Sequence, residues 1–364
     1  MKVGILTFHC AHNYGAVLQA YALQQYISQL GHTVEIIDIR PSFLGYRRNV
    51  IRQCISFKHP FESIKRLRDE MKIYKLRQQR WDGFNNFITK RLHLSERCNL
   101  VPDNFDAYIV GSDQVWNMKT TRGLYPPYFC DFGFPKQKKI YASYAASMEI
   151  TEFSQQQKSL LQRKLSIFDF IGVREDKMVG LIENLIGRDV YKNLDPTLLV
   201  DTKIWESLPH YPVQSKKYVL LYKVWSDNNS RRIAQLISNK LGAEVIELVS
   251  WLDVKTNHNK YQAATPELFV SLIKYADYVV TDSFHGTAFS IIFQKDFYCV
   301  KVNDGQNRMS DILSSLGLYD RFVDKTSNPD ITGIDYNPVM QELSSMQNMS
   351  RAYIKKILNK KKNE

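Results

Sequence analysis

The sequence predicts an α/β protein of two successive halves, each a doubly wound parallel sheet, facing one another across a cleft. Three observations carry the prediction. Short apolar runs suited to strands buried on both faces alternate with segments of helical period. The alternation stops at Pro209-His210-Tyr211-Pro212 and then begins again. The 364 residues match two domains at roughly 100–200 residues each. The expected boundaries are 1–208 for the first domain, carrying a basic helical insertion over about 41–100, then 213–338 for the second, then 339–364 as a terminal helix and basic tail.

The elements follow in order. VGILTF (3–8) is a strand, and Gly15 to Leu30 repeats apolar residues at helical spacing up to a capping Gly31. TVEIID (33–38) is the next strand. Residues 41–100 interrupt the pattern with basic, helix-prone sequence. DAYIVG (106–111), KIYASYAAS (139–147) and FDFIGVRE (168–175) return to strands, with a helix over 152–165. In the second half, KYVLLYKV (217–224) is a strand, and SDNNS (226–230) supplies caps for a helix ending near Gly242. EVIELV (244–249) is a strand, and Thr265-Pro266-Glu267 opens a helix with a cap and a proline at its first position. DYVVTD (277–282) is a strand, His285 to Gln294 a helix, FYCVKV (297–302) a strand, and 340–361 the last helix.

Composition narrows the class. At 44% hydrophobic and 24% charged residues, the chain is neither disordered nor collagen-like nor a disulfide scaffold. No apolar run reaches the roughly 20 residues of a membrane span, and MKVGILTFHCAHNYG lacks a secretory core. A cytoplasmic location is expected. The five cysteines, odd in number and without a C-x-x-C pair, read as reduced thiols, and no metal site is expected. The net charge is +12. Residues 45–80 hold eleven Lys or Arg against three acids, and Lys355 to Lys362 adds five lysines. Small anionic substrates, an anionic membrane surface and nucleic acid compete to explain that excess with plain solvated helix faces. No nucleic-acid-binding module accompanies it, so no nucleic-acid partner is expected.

Ligands of such sheets collect at the carboxyl ends of strands, and four loops there carry chemistry. In H9-C-A-H-N-Y-G15, Asn13 and Gly15 suit a turn whose N–H groups meet a ligand, though Asn13 serves equally as a helix cap. The dinucleotide pattern G-x-G-x-x-G is absent. In G111-S-D-Q-V-W-N117, Asp113 is placed to hold or deprotonate a hydroxyl, or to cap its own turn. In G172-V-R-E175, Arg174 is a fork for a carboxylate or phosphate, or an ion-pair partner of neighbouring acids. T281-D-S-F-H-G-T-A-F289 is the most informative. Its His285 sits at a strand-to-helix turn, where it can act as acid/base or bind an anion. Walker, G-x-S-x-G and H-E-x-x-H patterns are absent.

Taken together and in this order, NYGAVLQAYAL, DAYIVGSDQVWN, SYAAS, GVRED, LDPTLL, TDSFHGTAFSIIF and NRMSDILSSLGL resemble the polysaccharide pyruvyl transferase family, over residues 13–318. The resemblance implies a type B glycosyltransferase-like architecture of two Rossmann-like domains. It implies transfer of pyruvate from phosphoenolpyruvate to a sugar of a cell-surface polysaccharide or its precursor, closing a ketal on two hydroxyls. The family's essential histidine falls on His285 and its anion-binding arginine on Arg174. Many members carry an arginine two positions before the histidine. Ser283 stands there instead, and Arg308 and Lys223 are the candidates to supply the missing charge. Asp113 or Asn13 would orient the acceptor. No metal or organic cofactor is required by that chemistry. A glycan or lipid-linked sugar is the expected acceptor, and the basic segments suggest peripheral contact with the inner face of an anionic membrane. Two alternatives remain at this point: a type B glycosyltransferase using a nucleotide sugar, and a basic scaffold without enzymatic activity.

Overall fold

A computed structural model describes residues 1–45, 50, 60–148, 152–211, 216–226, 228–254, 260–302, 307–324 and 326–360. Pro212, most of 46–59 in the basic segment, and Lys361 and Lys362 of the tail lie outside the described residues, as does Cys54. The other four cysteines are free thiols.

The first half holds a four-stranded parallel sheet of β1 (Lys2–Leu6), β2 (Thr33–Ile36), β3 (Ala107–Val110) and β4 (Ile140–Ser143), in the order β2-β1-β3-β4. Helix α1 (Tyr14–Gln29) returns the chain from β1 to β2. The strand expected over 168–175 shrinks to β5 (Gly172–Val173), paired with β6 (Tyr191–Lys192). Ser143 explains the interruption. Its hydroxyl accepts from Gly172 N–H, which a regular ladder would pair with the backbone, and donates to Gly172 C=O, which also keeps a backbone bond from Ala146 N–H. The run expected to stay extended to Ser147 breaks after Ser143, because Ala145 takes a left-handed φ of 45°.

The second half holds a six-stranded parallel sheet of β7 (Tyr218–Lys223), β8 (Glu244–Val249), β9 (Lys260–Tyr261), β10 (Tyr278–Thr281), β11 (Phe297–Lys301) and β12 (Phe322–Asp324). Its order is β12-β11-β10-β7-β8-β9. The chain winds outward from β7 to β9, then crosses back to β10 and winds the other way. The gap between β7 and β10 is therefore the switch point of this sheet, as the gap between β1 and β3 is of the first.

The two sheets share one hydrophobic core. Val3, Ile5 and Ala107 from one, and Leu220, Ile246 and Val279 from the other, belong to a continuous buried cluster filled by α1 and by α3 (Phe284–Ile292). Two long helices tie the halves together. The basic segment forms α2 (Pro60–Arg91), whose buried Arg80 donates to Gln262 C=O in the second half and to His12 C=O in the first. The terminal helix, Tyr336–Leu358, starts against Lys295 through the Tyr336 hydroxyl and ends on β4, where Tyr353 donates to Ser143 C=O. No helix among the described residues is long and apolar enough to cross a membrane.

Candidate active site

The loops leaving β1 and β3 and those leaving β7 and β10 face each other, and between them lies a cavity of about 400 Å³. Both switch points thus open onto one space. Asn13, Asp113, Ser283, His285 and Arg308 line it, together with Asp282, Trp225 and Phe284. Gly15 lies beneath His285, whereas Arg174 and Lys223 are buried outside the lining.

His285 is held by local chemistry on both sides. Ser283 caps α3, its hydroxyl accepting from Gly286 N–H. That fixes the first turn, so His285 points at the start of α1. There Gly15 leaves room: a Cβ on it would lie 1.9 Å from His285 Nδ1. Gly286 is equally constrained, since a Cβ would lie 2.3 Å from Thr281 Oγ1. The imidazole therefore rests directly on the backbone of α1, and His285 is only 7% exposed.

Behind His285 stands Asp195, which sequence reasoning did not single out. Its Oδ1 caps a short helix (Pro196–Leu199), accepting from Thr197 N–H and Oγ1–H. Its Oδ2 accepts from Arg174 Nη1 at 2.6 Å and from Ser112 Oγ, and faces His285 Nε2 at 3.7 Å. Burial would raise the Asp195 carboxyl, but His285 and Arg174 outweigh it and hold it well below the usual carboxylate range. Nε2 of His285 makes no full hydrogen bond and is closed off from solvent against the Asp195 carboxylate.

Arg174 sits deeper than a simple anion clamp. Besides Asp195, its guanidinium lies 3.6 Å from Asp113 and 3.7 Å from Glu175, and stacks 4.7 Å over the Phe284 ring. Burial opposes its charge, but these three carboxylates hold it on and raise its pKa. Burial pushes Glu175 the other way, up from the ordinary value, despite Arg174 and the Ser147 hydroxyl. Arg308 is the arginine that reaches the cavity wall. It is about one-quarter exposed, lies 3.9 Å from Asp113 Oδ1, and stands over the Phe284 ring at 5.9 Å from its centroid. Lys223 is buried at the end of β7 with its ammonium over the Trp251 ring.

On the facing wall, Asn13 caps α1 through Ala16 N–H and is exposed to the cavity, and Asp113 takes a left-handed φ of 73° with Oδ1 accepting from Gln114 N–H. Asp282 is the other residue that sequence reasoning passed over. Its two carboxylate oxygens accept from Val224 and Trp225 N–H, bolting the loop after β7 to the end of β10. That anchor leaves the Trp225 indole half-exposed at the cavity. Among the described residues no group of His, Cys, Asp and Glu is arranged to hold a metal ion.

The arrangement combines an imidazole, a reachable guanidinium, a facing amide and carboxylate, and an aromatic wall. The sequence profile of the family described as polysaccharide pyruvyl transferase matches residues 13–304. No curated protein matches the chain. Similar solved structures include the glycosyltransferase SsfS6 of Streptomyces sp. SF2575, at 13% identity and a TM-score of 0.38, covering 98% of this chain and 96% of that one. They also include a UDP-GlcNAc 2-epimerase of Methanocaldococcus jannaschii, at 11% identity and a TM-score of 0.46, covering 98% of this chain and 99% of that one. A third is MnaA of S. aureus, at 10% identity and a TM-score of 0.47, covering 98% of this chain and 97% of that one. The profile runs from the cap of α1 through β11 and takes in the loops after β3, β7 and β10, so the chain belongs to the polysaccharide pyruvyl transferase family and is an enzyme of that kind.

Proposed function

We propose that the protein transfers pyruvate from phosphoenolpyruvate to a glycan or lipid-linked sugar of a cell-surface polysaccharide or its precursor, at the inner face of an anionic membrane, and closes a cyclic ketal. The observation that carries this reading is that His285 and Arg308 share one wall of a cavity whose other wall presents Asn13 and Asp113. An acid/base and a cation thus face two groups suited to sugar hydroxyls.

The chemistry balances on those groups. A proton added to C3 of the donor turns its methylene into a methyl and makes C2 electrophilic. A sugar hydroxyl forms the first C2–O bond and gives up its proton. The bond from C2 to the phosphate oxygen breaks, and inorganic phosphate leaves with its electron pair. The second hydroxyl forms the other C2–O bond and releases its proton, so one proton is retained on C3 and one is carried off with phosphate. His285 is the acid/base, with Asp195 holding the imidazole in line. Arg308, at the cavity wall, binds the phosphate or carboxylate, taking the place of the arginine that Ser283 replaces. Arg174 holds Asp195, Asp113 and Phe284 in register beneath it. Ser283 orients the turn that carries His285, and Lys223 adds positive potential from the end of β7. Trp225 offers the flat apolar surface against which the face of a pyranose packs.

Donor binding tests the reading directly. Phosphoenolpyruvate is expected to raise the melting temperature of the wild type, and Arg308→Gln to lose most of that rise with its own ligand-free melting temperature unchanged. A rise with UDP- or TDP-sugars and none with phosphoenolpyruvate would replace this reading by nucleotide-sugar transfer.

A further inference from the structure

The first half of α2 is a projecting, two-sided surface that the catalytic reading does not use. Arg80 and Phe84 fasten the helix beside His12, on the loop that carries Asn13 into the cavity. From Arg80 the helix runs back to Phe61, about 28 Å at 1.5 Å per residue. Along that length Ile73 and Glu70 face inward and are buried, the latter closed off by a bidentate pair with Arg77. The outward face is unusual. Phe61 is 87% exposed, Ile64 66% and Met71 68%, and Tyr74 is also exposed. Lys65, Arg68, Lys72 and Lys75 recur at three- and four-residue spacing on the same side, all exposed. The apolar side chains and the cations therefore share one face instead of dividing the helix between them.

We propose that this face of α2 docks the enzyme on an anionic lipid bilayer, the apolar side chains entering the headgroup boundary and the cations meeting lipid phosphates. The charge decides the occupant. A helix stripe of aromatic and aliphatic side chains flanked by Lys and Arg matches the interfacial boundary of an anionic leaflet. A second copy of the chain would set the same cations against themselves. The terminal lysines contribute less than their number suggests, because Lys356 is bonded to the Tyr191 hydroxyl and Lys360 to Asp169. The fastened end of α2 lies beside the loop that carries Asn13 into the cavity, which suits a lipid-linked acceptor. That purpose rests on the proposed function; the surface itself is tested without substrate.

The experiment is cosedimentation of the full chain with vesicles of phosphatidylcholine alone and of phosphatidylcholine with phosphatidylglycerol. The wild type is expected to sediment with the anionic vesicles and to leave them at high salt. Phe61→Ser/Ile64→Ser/Met71→Ser and Lys65→Gln/Arg68→Gln/Lys72→Gln/Lys75→Gln should each bind at least about tenfold more weakly, with unchanged melting temperatures. Lys356→Gln/Lys360→Gln should bind as the wild type does. Equal binding by the wild type and both helix variants, or no preference for anionic vesicles, would overturn the proposal. So would a wild-type dimer that the triple serine variant dissolves. If vesicle binding follows this pattern while phosphoenolpyruvate is not turned over, the docking surface stands and the proposed reaction falls.

Discussion

The imidazole of His285 occupies the space that any side chain at position 15 would need. Gly15→Ala places a Cβ 1.9 Å from Nδ1, so either the ring or the start of α1 must move. We expect this variant to fold and to lose activity to the level of His285→Ala, a drop of about 10²–10⁴-fold for lost acid/base catalysis. Activity near wild type, with circular dichroism unchanged, would show that the ring position is not critical. Asp195 makes a second prediction. Its folded-state pKa lies below the unfolded value, so its stabilisation is fully present above about pH 4 and is lost as pH falls through the folded value. Asp195→Asn removes one partner of a buried ion pair and should cost about 3–5 kcal/mol at pH 7. The gap in melting temperature between wild type and variant should then narrow in acid; a gap independent of pH would contradict the assignment. Of these residues, His285, Asn13 and Asp113 could be picked out because strand-end polar residues announce themselves in sequence, and Arg308, on a helix, only because the family resemblance left a charge to be supplied. Asp195 was not, because an Asp before Pro reads as an ordinary helix cap, which it also is, and its second oxygen meets Arg174 and His285 only in three dimensions. Trp225 was missed for a similar reason: nothing local says that Asp282, 57 residues away, fixes its backbone.

At the scale of elements, α2 does more than insert. The basic composition of 41–100 predicted helix, but not that one buried arginine would join both halves. Arg80 donates to carbonyls of His12 and Gln262, and its guanidinium lies near the faces of Tyr14 and Phe84. Arg80→Met keeps the stem and removes the donors, leaving two carbonyls without them at about 1–3 kcal/mol each. Urea unfolding should show a loss of about 2–5 kcal/mol, and an unchanged midpoint would mean that α2 does not couple the halves. The strands β1, β3, β7, β8, β10 and β11 follow the sequence pattern to within a residue or two, because buried parallel strands carry uninterrupted apolar runs. FDFIGVRE also has such a run, yet only two residues of it form a strand. The Ser143 hydroxyl replaces part of the ladder there, a side-chain substitution for backbone bonding that periodicity does not register.

For the whole molecule, two sheets present their switch points to a single cavity, and each contributes a different chemistry. The first supplies Asn13 and Asp113, polar groups without fixed positive charge. The second supplies His285 and Arg308, an imidazole and a guanidinium. The alternation of strands and helices revealed both sheets, and the ordered loops revealed the family. Which loop residues reach the cavity depended on packing, which sent Arg174 and Lys223 beneath it and left Arg308 at its wall. Division of labour between the halves is the central claim, and acceptor-dependent phosphate release from phosphoenolpyruvate tests it most directly. With a panel of glycan acceptors, the wild type should release phosphate only when a suitable diol is present, in step with a pyruvylated product detected by mass spectrometry. His285→Ala, folded and stable, should release about 10²–10⁴-fold less. Phosphate release by His285→Ala at the wild-type rate, or glycosyl transfer from a nucleotide sugar with phosphoenolpyruvate untouched, would contradict the account.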